Sequence, residues 1–150
     1  MIAANNPTLT TWVPVPENSD FPIQNIPFGV VEINGTKTAA TRIGDMVVNL
    51  TVLFESGIFE GILKHNCFAE ATLNNFLKLN KQTWRAVRNR ISEVFTTEMD
   101  QDLKTQCLSS IINVQMCMPI QVGDYTDFYS SRQHAYNVGC MFRDPNNALL

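Results

Sequence analysis

No stretch of this sequence approaches the roughly 20 consecutive apolar residues of a membrane-spanning helix, and the residues after Met1, IAANNPTLTT, offer neither the basic nor the apolar region of a signal peptide. Basic clusters are missing too. Arg85, Arg88 and Arg90 are scattered, and a net charge of -3 with a pI near 5.3 argues against nucleic acid and anionic membranes as partners. Charge of either sign is scarce, at 17% of residues against roughly 25% in ordinary soluble domains, so some apolar surface is expected to meet another surface. No CxxC pair occurs among Cys67, Cys107, Cys117 and Cys140, which predicts free thiols in a reducing compartment, the cytosol by default. Without a leader, the triplets Asn34-Gly35-Thr36 and Asn49-Leu50-Thr51 are read as coincidental glycosylation matches. There is no fixed-period repeat and no low-complexity run.

What is present is long enough, at 150 residues, to bury a core. Pro14, Pro16, Pro22 and Pro27 keep residues 1–27 extended, because proline fixes φ and removes a donor. The β-branched run FGVVEI from Phe28, the Asn34-Gly35 turn, TKTAATRI, and a second turn at Gly44-Asp45 into MVVNL predict a three-stranded antiparallel meander over 28–50 and a small β-barrel or roll. The period then changes. Leu73, Phe76 and Leu77, followed by Trp84, Val87, Ile91, Val94 and Phe95, recur at helical spacing and predict two amphipathic helices. Lys81, Arg85, Arg88 and Arg90 read as a solvated helix face, 99–110 as a polar helix, and Ile112, Val114, Met116 and Met118 as an alternating strand ended by Pro119, with the methionines as packing. A domain boundary is expected near 115–120, dividing the chain into 1–118 and 119–150. The fold class is α+β, mainly β with helices.

One stretch departs from what a core needs. GDYTDFYSSRQHAYNVGCMFR, residues 123–143, gathers two aspartates, three tyrosines, a histidine and two arginines. Asp124 and Asp127 are hard oxygen donors suited to Ca²⁺ or Mg²⁺, but two carboxylates make half a site at best; turn amides or the cap of a helix opening at Ser130 or Ser131 are the competing role. His134 could act as a general base toward water, imidazole being the side chain whose ordinary pKa lies nearest neutrality, or be a surface residue. Tyr129 and Arg143 could hold an anionic substrate, since a guanidinium fork matches a carboxylate; a surface salt bridge is the alternative for Arg143. Cys140, six residues after His134, falls on a different helix face, which argues against a cysteine nucleophile.

The strings SDFPIQNIPFGV (19–30), TLNNF (72–76) and GDYTDFYSSRQHA (123–135), the last continued by NVGCMFR and NALL, resemble the fumarylacetoacetase family over most of the chain. The first string favours fumarylacetoacetases over related acylpyruvate hydrolases, which generally lack the N-terminal domain. The resemblance implies a small SH3-like β-barrel domain with helices, then the start of a mixed β-roll catalytic domain, in a homodimer. It also implies Asp127 as a ligand of Ca²⁺ or Mg²⁺, His134 as base toward the attacking water, and Tyr129 and Arg143 as substrate-binding residues, with no role carried to Asp124 or Cys140.

The reaction implied is cleavage of a small diketo acid, 4-fumarylacetoacetate, to fumarate and acetoacetate at the end of tyrosine and phenylalanine breakdown, where a metal-held diketone could stabilise the departing carbanion. Since the resemblance predicts further carboxylates beyond residue 150, the chain alone is expected to be inactive, with apolar surface in 120–150 uncovered. Two other readings stand beside it: a non-catalytic module that binds or dimerises with complete subunits, and a hydrolase of another acylpyruvate-type acid.

Overall fold

Asn34 and Gly35 have φ of 50° and 78°, the pair of positive values that a two-residue type I′ turn requires. In the computed structural model, which describes residues 2–149, that turn joins β1 (Phe28–Ile33) to β2 (Thr36–Ile43), and the Gly44-Asp45 turn brings the chain back as β3 (Met46–Asn49). The meander expected over 28–50 is therefore present, with Phe28 opposite Thr41 and Thr41 opposite Val48. A Cβ on Gly44 would overlap the Pro14 carbonyl oxygen, and φ there is 54°. Glycine is needed at this turn for the N-terminal segment to lie against it.

Asn49 ends β3 and at once caps α1 (Leu50–Glu55), its Oδ1 accepting from the Thr51 and Val52 amides at 2.9 and 3.2 Å. The side chain of one glycosylation-like triplet is thus a helix cap. An irregular segment follows, and then α2 (Asn74–Leu77) and α3 (Lys81–Thr96). Of the stripe expected on α3, Trp84 and Val94 are half-buried, and Val87, Ile91 and Phe95 are all at 0% exposure, each worth about 1.5–3 kcal/mol relative to an exposed side chain. Residues 2–27 wrap over this helix. Trp12 stacks on Phe95 at 5.2 Å, Thr11 donates to the Phe95 carbonyl at 2.7 Å, and Asn89 Oδ1 accepts from the Ala4 amide at 3.2 Å. A ladder of rings, Phe59–Phe68–Phe76–Phe28, with centroid spacings of 5.5, 5.1 and 4.9 Å, joins the irregular segment to α2 and the sheet.

Three local expectations need correction. The polar helix read over 99–110 stops at Cys107: α4 (Gln101–Cys107) gives way to β4 (Leu108–Ser110), which pairs with β3. The alternating strand is shorter than expected, a 3₁₀ turn at Ile111–Asn113 preceding β5 (Gln115–Cys117), and its methionines are not core, Met116 and Met118 being 63% and 74% exposed. The basic face of α3 is only partly solvated. Arg88 donates to Asn5 and to the Gln24 and Asn25 carbonyls, and its burial pulls its pKa below the usual value; Arg90 donates to the Ile58 carbonyl at 2.9 Å and pairs with Glu93 at 3.2 Å. Two arginines therefore tie the loop carbonyls of Gln24, Asn25 and Ile58 to α3.

The chain is α+β, with one antiparallel sheet in the order β4-β3-β2-β1-β5. The sheet is not a closed barrel, since β4 and β5 are its two edges and do not pair with each other. It cannot be flat either. Four strand spacings separate the edges, about 19 Å in a flat sheet, whereas the five steps from Ser110 to Gln115, three of their residues in the 3₁₀ turn, reach only about 13 Å. The sheet must curl for this connection to close. Its convex side packs on the main core, and its inner side carries a smaller cluster, Val31, Ala40 and Val47, against which Ile111 and Val114 of the crossing segment pack. Among the described residues, no helix is long and apolar enough to cross a membrane, and all four cysteines are free thiols.

Candidate functional site

After β5 the chain leaves the sheet under control of α2. The Leu73 amide donates to the Pro119 carbonyl at 2.7 Å, and the Asn74 side chain makes a two-way pair with the Gln121 backbone, donating to its carbonyl at 3.0 Å and accepting from its amide at 2.9 Å. A side-chain amide here does the work of a strand neighbour. Its signal in the sequence was the TLNNF string, which shows no chemistry of its own.

Past this clamp, residues 122–130 are all exposed, and none of the hydrogen bonds between described residues involves them. The helix predicted to open at Ser130 or Ser131 is α5 (Arg132–Phe142), capped by Ser131, whose Oγ accepts from the His134 amide at 3.3 Å. Replacing Ser131 by alanine should cost about 1 kcal/mol of local helix stability. Hydrogen exchange at the His134 amide should then speed up roughly fivefold, and an unchanged rate would show that the cap does not hold this turn.

Two predicted site residues meet beside the cap. The rings of Tyr129 and His134 meet edge to face, 5.2 Å between centroids and 64° between planes. The Asp127 and Arg143 side chains are exposed and make no hydrogen bond or ion pair among the described residues. Neither Asp124 nor Asp127 takes the turn or capping role that competed with metal binding, because Ser131 fills the cap. Farther along α5, the Tyr136 phenol is pushed above its usual pKa, chiefly by Cys140 one turn away. The main packing of α5 is local, Gly139 lying so close to the Ala148 carbonyl that no Cβ would fit.

Among the described residues, no three His, Cys, Asp or Glu side chains gather as a group that could hold a metal ion. Ca²⁺ takes six to eight oxygen ligands and Mg²⁺ six. The described residues do not by themselves fit a divalent cation. The arrangement instead presents an imidazole, a phenol and a guanidinium to the surface, alongside exposed apolar side chains such as Phe128 at 75% and Phe142 at 78%.

Comparison with known proteins matches this frame. Residues 24–119 match the family described as fumarylacetoacetase N-terminal. Among curated relatives, the fumarylacetoacetase of Mus musculus is 40% identical over 148 residues, covering 93% of this chain; that of Dictyostelium discoideum is 40% identical over 150 residues, covering 95%. The fumarylacetoacetase of Homo sapiens is 38% identical over 150 residues. The chain spans about a third of the length of these relatives, 35% in each case. Residues 120–149 lie beyond the family match, so the match rests on the sheet and helices and says nothing about the Tyr129–His134 contact. The sheet with its helices, the TLNNF clamp and the similarity to fumarylacetoacetases across nearly the whole chain converge on one assignment: this chain belongs to the fumarylacetoacetase family and corresponds to its N-terminal part.

Proposed function

We propose that this chain contributes one wall of the site of a cytosolic, homodimeric hydrolase that cleaves the carbon-carbon bond of 4-fumarylacetoacetate, giving fumarate and acetoacetate. Residues 1–118 form a small domain of the SH3-like kind, a reading supported by the curled five-stranded sheet. Residues 119–150 open the catalytic domain. The observation that carries the proposal is the lack of structural employment around 122–143: Asp127, Tyr129, His134 and Arg143 are exposed, and their side chains make no hydrogen bond among the described residues. Exposed polar groups that hold nothing together, in a segment that the relatives align with, are the groups a site would use.

In the reaction, His134 takes a proton from water, and the hydroxide formed adds to the carbonyl carbon at the scissile bond. Collapse of the adduct breaks the bond. The carbon fragment leaves with the electron pair, spread onto its neighbouring carbonyl as an enolate, and recovers a proton to become acetoacetate, while the carbonyl side becomes fumarate. Tyr129, whose ring meets the imidazole edge to face, limits the rotation of His134 and offers a phenol to the substrate. Arg143 pairs with a substrate carboxylate through its guanidinium fork. No step is assigned to a metal ion; Asp127 is one ligand of a Ca²⁺ or Mg²⁺ site whose other donors come from outside this chain.

Calorimetric titration with Ca²⁺ tests the ligand role. In a polypeptide of family length carrying this chain, Asp127→Ala should weaken Ca²⁺ binding about tenfold or more, and unchanged affinity would exclude Asp127 from the site. Turnover of 4-fumarylacetoacetate compared with simple acylpyruvates tests the substrate. Faster cleavage of the acylpyruvates would replace the substrate named here.

A further inference from the structure

A glycine in the middle of a β-strand needs a reason, because it weakens the strand by roughly 0.5–1 kcal/mol relative to alanine. Gly29 in β1 does not have a positive φ, and a Cβ there would meet only the Met116 methyl, at an ordinary 3.6 Å. Neither backbone nor neighbour demands glycine. Its cross-strand partner is Ala40, also small. Paired residues share a face, so the two leave a gap in the inner side of the sheet, bounded by Val31, Val47, Ile111 and Met116. The result is a hollow of about 420 Å³, within the ~300–1,000 Å³ range of small-molecule sites. Among its lining residues only Arg42 is charged.

Arg42 is held in place at the edge. Its guanidinium lies 3.9 Å from the centroid of the Phe21 ring, its Nε donates to the Gly44 carbonyl at 2.7 Å, and one Nη donates to Asp45 at 3.0 Å. The other Nη has no hydrogen-bond partner among the described residues. Asp45 is largely exposed, at 62% of its side chain, so it offsets the charge of Arg42 only weakly.

We propose that this hollow binds a small monocarboxylic acid with an aromatic or branched aliphatic body, the apolar part lying over Gly29 and Ala40 and the carboxylate on the free edge of Arg42. The chemistry follows from the walls: an apolar hollow selects a compact apolar body, and a single pre-positioned guanidinium selects one carboxylate. The site lies on the sheet rather than in residues 122–143, and its occupancy does not depend on the reaction proposed above.

The test is a nuclear magnetic resonance titration of the isotopically labelled 150-residue chain with phenylacetate and, separately, with the neutral phenylacetamide. Phenylacetate should give saturable shifts at Gly29, Ala40, Ile111 and the Met116 methyl, and the amide should bind about tenfold more weakly. Gly29→Leu, which fills the hollow, should abolish the shifts. Arg42→Gln, which leaves the hollow open, should weaken phenylacetate about tenfold and remove the preference for acid over amide. Absence of saturable shifts at millimolar probe, equal binding of acid and amide, or a preference that survives Arg42→Gln would overturn the proposal.

Discussion

His134→Ala, in a polypeptide of family length that carries this chain, is expected to lower kcat by about 10²–10⁴-fold, the usual contribution of a positioned general base, while leaving thermal unfolding unchanged. The second half of that expectation comes from the packing. The His134 side chain is exposed, its backbone amide is what bonds to the Ser131 cap, and its ring meets only that of Tyr129 among the aromatic contacts. Alanine keeps the amide and is a better helix former than histidine, so α5 and its cap should persist. Steady-state turnover and a thermal melt on the same preparation separate the two effects. Near-normal turnover would remove His134 as base; a large drop in the melting midpoint would show that the imidazole has a structural partner instead.

Phe68→Ala is expected to have the largest effect on stability. Phe68 is at 0% exposure and sits between Phe59 and Phe76 in the ring ladder, so its loss leaves a cavity that neighbours on both sides cannot fill. Phenylalanine-to-alanine changes of this kind cost about 3–5 kcal/mol, a large share of the ~5–15 kcal/mol that holds a domain together. The backbone of Phe68 carries a second load: its carbonyl accepts from the Ala39 amide at 3.3 Å and from the Thr51 hydroxyl at 2.8 Å. If the emptied site collapses, those bonds to β2 and α1 lengthen as well. Differential scanning calorimetry should show the midpoint falling by roughly 10–20 °C. A fall of only one or two degrees would mean that the ladder is not where the core is tight.

What could be read from the residues alone was what local rules govern. Asn34-Gly35 permits few turns, and the meander followed; the four-residue recurrence of Val87, Ile91 and Phe95 predicted the buried stripe of α3. The ring ladder was hidden, because Phe59 and Phe68 come from a segment without helix or strand, and a segment without a period gives no sign of which side chains turn inward. β4 and β5 were misread or shortened for a related reason. Three-residue strands carry almost no pattern of their own and exist through pairing with β3 and β1, partners some sixty to eighty-five residues away in sequence.

Of the candidate segment, part of the local geometry was legible. Ser131 announced the cap, which bonds the backbone of the same His134 whose ring meets Tyr129. The inner hollow escaped notice because a glycine opposite an alanine looks, in sequence, like two ordinary strand residues.

The two-way bond between Asn74 and Gln121 has a consequence for the rest of the segment. It makes a fixed hook, and from that hook ten residues of chain run to Ser131, a tether of at most about 35 Å. Whatever surface receives α5 must lie within that radius of the hook, so an asparagine with no reactive chemistry sets the circle inside which His134 can be placed.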